Sequence, residues 1–136
     1  MHQIGEVAEA VGLSLRTIRH YDEVGLVPPS GRSAGGFRLY TEGDIERLRL
    51  VKHMKPLDFS LEEMREILEL RDRLAGGVDG GDRDELLARL EAFAAAADRH
   101  CEMLGKQLEA ARSMALMLRS EAKHRPPARR RTAAQK

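Results

Sequence analysis

From residue 87 to residue 122 one pattern limits what this chain can fold into. Leu87, Leu90, Ala94, Ala97, Cys101, Leu104, Leu108, Ala111, Ala115, Leu118 and Ala122 recur at alternating steps of three and four. That is five heptads with an apolar seam, the signature of a coiled coil. A helix of this length runs ~60 Å at about 1.5 Å per residue. About 75 residues of preceding chain cannot cover it, so the seam requires a partner.

Flanking charges address its direction. With Leu87 at heptad position a, the e positions are Glu91, Asp98, Gly105, Arg112 and Arg119. An antiparallel pair of identical helices sets Glu91 against Arg119 of the second copy, and Asp98 against Arg112, crossing at Gly105. A parallel pair brings Phe93 to Asp98 and Gln107 to Arg112, with no complementary ion pair. Each exposed pair contributes only ~0.2–1 kcal/mol, so the charges choose orientation more than they stabilise. The antiparallel register separates the two Cys101 thiols along the axis, beyond disulfide reach.

Ahead of the seam, short helices with local punctuation are expected. Ile4, Val7, Ala8 and Val11 fall on one helical face, and Gly12 ends it. Ser14 is placed to cap a second helix, with Leu13 and Ile18 as its hydrophobic staple and Gly25 as a left-handed stop. Two short helices across a tight turn form a helix-turn-helix candidate. Residues 30–36, Ser-Gly-Arg-Ser-Ala-Gly-Gly, are turn chemistry, and Phe37-Arg38-Leu39-Tyr40 alternates like a strand, giving a small two-stranded wing. Thr41 caps a third helix with Asp44 three residues on and a Tyr40–Ile45 staple; Pro56 closes it. Ser60 and Glu63 form a capping box for a fourth, with a Phe59–Met64 staple. The expected organisation is mainly α: a winged helix-turn-helix domain over 1–75, a glycine-rich linker over 76–81, a coiled-coil dimerisation helix over 82–123, and a disordered basic tail over 124–136.

Composition narrows function. Net charge is +1. Residues 1–75 carry 11 basic and 13 acidic groups, residues 76–122 carry 6 and 9, and residues 123–136 carry 6 and 0. Any nucleic-acid surface is therefore local, and between Arg16 and Lys55 there are 8 basic against 5 acidic groups. One cysteine excludes an intrachain disulfide and a Cys-pair metal site. No signal-like or membrane-length apolar run occurs, which points to a cytoplasmic protein without a membrane partner. There is no nucleophile–base constellation and no phosphate-cradling glycine loop, so an enzyme is not expected.

The run from Ile4-Gly5-Glu6-Val7-Ala8 through Val11-Gly12-Leu13-Ser14-Leu15-Arg16-Thr17-Ile18-Arg19-His20-Tyr21-Asp22-Glu23-Val24-Gly25-Leu26-Val27-Pro28-Pro29 resembles the MerR family of bacterial transcription regulators. So do Gly36-Phe37-Arg38-Leu39-Tyr40 and Phe59-Ser60-Leu61-Glu62-Glu63-Met64-Arg65-Glu66-Ile67-Leu68. The resemblance is dense over 3–71 and architectural beyond. It implies a winged helix-turn-helix, an antiparallel coiled-coil homodimer, and binding to pseudo-palindromic promoter operators. Such regulators bend and untwist that DNA so that RNA polymerase can engage both promoter elements. It further implies that Arg16, Thr17 and Arg19 face DNA, that Tyr21 contacts its backbone, that Arg38 and Tyr40 grip phosphate or minor groove, and that Lys52 and Lys55 form a second wing.

His20 stands where many relatives carry a second tyrosine, and Tyr21 is as readily a core residue as a contact. Lone His2 and His53 are read as ordinary surface or satisfied histidines. Metal-sensing relatives use a Cys or Ser at the start of the dimer helix and two later cysteines. Here Asp82 stands at that start and no Cys follows Cys101, so no metal or cofactor is expected. Asp58 replaces the glycine usual in the second turn. Other readings remain open: an architectural DNA-binding protein without an effector, or a helix that docks a second protein with DNA binding secondary.

Overall fold

The computed structural model describes residues 1–124. The elements run β1 (His2–Gln3), α1 (Ile4–Val11), α2 (Leu15–Glu23), β2 (Gly31–Arg32), β3 (Arg38–Tyr40), α3 (Glu42–Met54), a 3-10 turn (Lys55–Leu57), α4 (Leu61–Ala75) and α5 (Gly80–His124). The expected basic tail lies outside the described residues, apart from His124.

The caps close as the sequence indicates. Ser14 Oγ accepts from the Thr17 amide at 3.1 Å, Thr41 Oγ1 from Asp44 at 3.1 Å, and Ser60 Oγ from Glu63 at 3.1 Å. At the last two the acidic side chain also accepts from the cap residue's own amide. Each cap satisfies amides that the first helical turn leaves without an intrahelical acceptor. Gly12 ends α1 in the left-handed region at φ 77°, where a side chain is disfavoured.

Two features differ from expectation. The wing has three strands in the order β1-β3-β2, because His2 pairs with Tyr40 and Gln3 with Leu39. Pro56 does not terminate the chain's helical run abruptly. The path tightens into the 3-10 turn, and Asp58 follows at φ 63° and ψ 27°. Asp and Asn tolerate this left-handed conformation better than most residues, so Asp58 does there what glycine usually does.

The chain divides into two compact units, Met1–Ala97 and Asp98–Lys136. In the first, Val7, Ile18, Tyr40, Leu48, Val51 and Leu68 are the centre of one core. A second cluster joins Leu70 of α4 to Leu86 and Phe93 of α5, with Phe59, Ile67, Leu74, Val78 and Leu90 against it. The expected linker over 76–81 does not coincide with the division between these units. Helix α5 already begins at Gly80, and its first turns belong to the N-terminal unit because Leu86 and Phe93 bury their side chains there. A bidentate pair fixes the same joint, with Arg89 Nε 2.5 Å and Nη2 3.0 Å from the Glu66 carboxylate. The Arg89 guanidinium also lies 4.7 Å from the Phe93 ring centre. In the second unit, every described residue from Cys101 onward is exposed. Among the described residues no helix is long and apolar enough to cross a membrane.

Candidate nucleic-acid interface

Helix α2 buries Ile18 and Tyr21, and this fixes what its other face shows. Arg16, Arg19 and His20 stand exposed. Neither arginine has an ion-pair partner among the described residues. Thr17 is half-buried, and its hydroxyl shares a hydrogen bond of 2.8 Å with Ser14 Oγ. Much of its bonding capacity thus serves the cap.

Tyr21 is buried, and burial pushes its phenol above the usual tyrosine pKa. It still lines a cleft of about 360 Å³ together with Leu13, Thr17, Lys52, Lys55 and Pro56. Helix α2 and the two lysines expected to form a second wing therefore share one concave surface.

Lys52 has a role that sequence spacing did not show. Its Nζ donates to the Val11 carbonyl at 2.8 Å, closing the C-terminus of α1 from α3. A cation there also suits the negative end of the helix. A side chain at Gly12 would begin 2.7 Å from that nitrogen, so Lys52 would have to shift, while the backbone angle itself favours glycine. Lys55 is exposed at the start of the 3-10 turn.

On the wing, Arg38 is half-buried. Its Nε donates to Asp22 Oδ2 at 2.7 Å, and Arg32 Nη2 lies 3.6 Å from the same oxygen. The hydrogen bond to Asp22 holds the Arg38 guanidinium above its usual pKa. The wing tip carries Phe37 at 68 % exposure, its ring lying against Gly35.

Tyr40 is buried where a DNA contact was expected as well as a staple. It is 0 % exposed, and its hydroxyl is buried without a hydrogen-bond partner among the described residues, so it is not presented to a phosphate. The reason is topological. Strand β3 is the middle strand of the sheet and runs directly into the Thr41 cap of α3, which carries the ring into the core beside Ile45.

Three supporting side chains escaped sequence reasoning. Asp22 joins α2 to the wing, and Arg32 joins Arg38 upon it. Arg65 of α4 donates to the Val24 carbonyl at 2.7 Å, capping the end of α2. All three contacts link residues 10 to 41 positions apart, and no local pattern announces them. His2 faces Glu42, in keeping with a satisfied surface histidine. Among the described residues no group of three or more His, Cys, Asp or Glu side chains could hold a metal ion.

The expected dimerisation residues fall into two sets. Leu90 and Ala97 are half-buried within the N-terminal unit, and Leu90 packs on the Leu70–Leu86–Phe93 cluster. Leu87, Ala94, Cys101, Leu104, Leu108, Ala111, Ala115 and Leu118 are exposed. Met103, Met114, Leu116 and Met117 are also exposed but lie off the seam.

Sequence and structure comparisons agree with this geometry. Residues 3–70 match the profile of the MerR HTH family regulatory proteins, and residues 45–120 match that of the MerR DNA-binding region. The HTH-type transcriptional regulator ZntR of Escherichia coli K12 is 44 % identical over 71 residues, which are 52 % of this chain and 50 % of ZntR. The chain thus spans about half the length of that relative. A MerR-family regulator from Bacillus cereus superposes with a TM-score of 0.61 at 27 % identity, over 93 % of this chain and 84 % of its own. The regulator PbrR691 of Ralstonia metallidurans, solved with lead(II), gives 0.52 at 31 % identity, over 83 % and 87 %. With a winged helix-turn-helix built as described and two overlapping profiles that together run from residue 3 to residue 120, the chain belongs to the MerR family.

Proposed function

We propose that this chain is a sequence-specific transcription regulator that binds a pseudo-palindromic promoter operator as a homodimer and distorts the DNA to control RNA polymerase. The observation that carries the reading is the exposed face of α2. Arg16 and Arg19 project from a helix whose opposite face is locked into the core by Ile18 and Tyr21 and whose two ends are capped by Ser14 and Arg65. A guanidinium held on a rigid helix can read guanine O6 and N7 bidentately in the major groove. Arg38 on one flank and Lys55 on the other supply phosphate contacts, which bending requires because deformation costs several kcal/mol. The HTH-type transcriptional regulator named among the relatives supports the same reading.

Homodimerisation rests on the uncovered seam. Leu104, Leu108 and Leu118 are 42 %, 49 % and 58 % exposed within the single chain. An antiparallel two-fold pair covers them and presents two copies of α2, matching the symmetry of a palindrome.

The test is enrichment of bound duplexes from genomic fragments by the purified protein, followed by sequencing. An inverted repeat within a promoter spacer is the expected result. Broad binding without a repeat overturns the operator reading in favour of an architectural role. On the enriched site, Arg19→Ala is expected to lose ~1–3 kcal/mol for each base contact removed, with a much smaller loss on scrambled DNA. An equal loss on both reassigns Arg19 to the phosphate backbone.

A further inference from the structure

Asp22 is an acidic residue at the end of a helix whose proposed partner is a polyanion. Simple electrostatics makes it a liability there. Its surroundings explain its presence. The Asp22 side chain is only 16 % exposed and lies between the last turn of α2 and the two wing strands β2 and β3. Its Oδ2 accepts from Arg38 Nε at 2.7 Å and stands 3.6 Å from Arg32 Nη2. Arg32 Nη1 also donates to the Gly36 carbonyl at 3.2 Å, across the turn of the wing. One carboxylate thus organises two guanidinium groups carried by two strands.

The bonding edge matters. Arg38 spends Nε on Asp22, and its two terminal nitrogens have no ion-pair partner beyond Asp22 among the described residues. Two arginines against one carboxylate still leave a net positive wing. A free arginine loses much rotamer freedom when it settles on a phosphate, whereas a guanidinium already held at one edge loses less. Because Asp22 belongs to the same helix as Arg16 and Arg19, it also fixes where the wing stands relative to the base-reading side chains.

We infer that Asp22 is a positioning residue for DNA recognition: it pre-orients Arg38 and Arg32 on the wing and locks their register to the reading helix. This inference rests on the DNA-binding reading above. Asp22 raises specificity, since only a duplex that places base edges and phosphates at the fixed separation satisfies helix and wing together. It lowers indiscriminate affinity, since it neutralises one wing charge.

The test uses the full chain, the duplex enriched by the wild type, and a scrambled duplex of equal length, titrated at several salt concentrations. Asp22→Asn keeps an oxygen that accepts from Arg38 Nε and removes the charge. It is expected to hold the operator-to-scrambled affinity ratio within ~3-fold of wild type while binding scrambled DNA more tightly, with a steeper salt dependence. Asp22→Ala removes the acceptor as well, and its ratio is expected to fall ~10-fold. In an Arg38→Ala background, Asp22→Ala is expected to move the ratio by less than ~2-fold, because the coupled partner is already gone.

An Asp22→Ala ratio equal to wild type overturns the inference. So does an Asn variant that loses as much as Ala, or an Ala effect that persists without Arg38. If Asp22→Ala does not fold, Arg38→Lys reads the same geometry from the wing. It keeps the charge, lacks the Nε donor at that position, and is expected to lower the ratio ~10-fold; an unchanged ratio overturns the inference. A wild type that enriches no duplex defeats the DNA-binding reading and this inference with it. An enriched operator with an indifferent Asp22 defeats this inference alone.

Discussion

Leu86 and Leu87 are neighbours on one helix, as are Phe93 and Ala94, yet they meet different surroundings. Leu86 and Phe93 are buried within the N-terminal unit, where Leu70 packs with them. Leu87 and Ala94 are exposed, and the seam they begin continues through Leu104, Leu108 and Leu118, exposed as well. The N-terminal unit completes its core in its own chain, with Val7, Ile18, Leu48 and Leu68 almost wholly enclosed. The C-terminal helix completes nothing by itself. Both regions obey the same three-and-four spacing. Periodicity therefore states which face of a helix seeks burial, and only the fold states whether its cover lies in the same chain or in a second copy.

The most forceful way to break that contrast is a charge in the exposed seam. Leu108→Asp places a carboxylate near the centre of the proposed interface twice, once from each subunit. Burying it unpaired costs several kcal/mol. Self-association measured by sedimentation equilibrium is expected to weaken at least ~1,000-fold, which corresponds to about 4 kcal/mol. The N-terminal unit should keep its own unfolding transition. Unchanged association would falsify the assignment of this seam to the dimer. Leu68→Ala probes the other side of the comparison. It opens a cavity in the N-terminal core and is expected to cost ~2–5 kcal/mol of that unit's stability in a denaturant titration. A loss below ~1 kcal/mol contradicts the central place given to Leu68.

How much of this was legible in the sequence depended on the range of the interaction. Ser14, Thr41 and Ser60 were readable as caps because a cap and its amide partner lie three residues apart, and the staples lie close beside them. The αL stop at Gly12 was equally local. Strand β1 was not legible: His2–Gln3 is too short to show a period of two, and it exists because β3 offers it an edge. That third strand makes β3 central, with His2 paired to Tyr40. Nothing local marks Asp22, whose partners Arg32 and Arg38 stand 10 and 16 positions away on the wing. The roles of Leu86 and Phe93 were hidden by a seam that accounted for their neighbours. In the candidate interface, the arginines of α2 were indicated by the family resemblance, whereas Lys52 and Arg65 as helix-end donors were not legible, each meeting a carbonyl 41 positions away.

Within the core of the N-terminal unit, Tyr40 carries a buried side-chain polar atom that is unsatisfied. Its ring is enclosed and its hydroxyl lacks a partner among the described residues. Leaving a buried hydroxyl unpaired costs about 1–3 kcal/mol, so removing the oxygen is expected to help. Tyr40→Phe should raise the unfolding free energy of the N-terminal unit by ~1 kcal/mol, read from denaturant midpoints at unchanged slope. DNA binding at unchanged affinity should accompany it, since the hydroxyl is not presented to the duplex. A loss of stability, or a loss of affinity with no change in stability, sinks this account of Tyr40.

The smallest effect belongs to the joint where the two kinds of burial meet. Glu66 of α4 receives both Nε and Nη2 of Arg89 from the first turns of α5, beside the Leu70–Leu86–Phe93 cluster. The hydrogen bond from Arg89 holds the Glu66 carboxyl below its ordinary pKa. A carboxylate whose pKa is lower in the folded state binds fewer protons folded than unfolded. Its stabilisation is therefore fully present above the unfolded value of roughly 4.3 and is lost as pH falls through the lower folded value. Both side chains are substantially open to water, so screening keeps the contribution slight. Glu66→Gln is accordingly expected to unfold slightly more easily than wild type at pH 7 and to match it once pH falls well below that range. The difference should shrink in high salt. A gap between the two proteins that stays constant down to pH 2 would mean that the charge of Glu66 is not its source, and would overturn this account of the pair. The joint between α4 and α5 would then be held by the same apolar burial that completes the N-terminal core, with no share left to the ion pair.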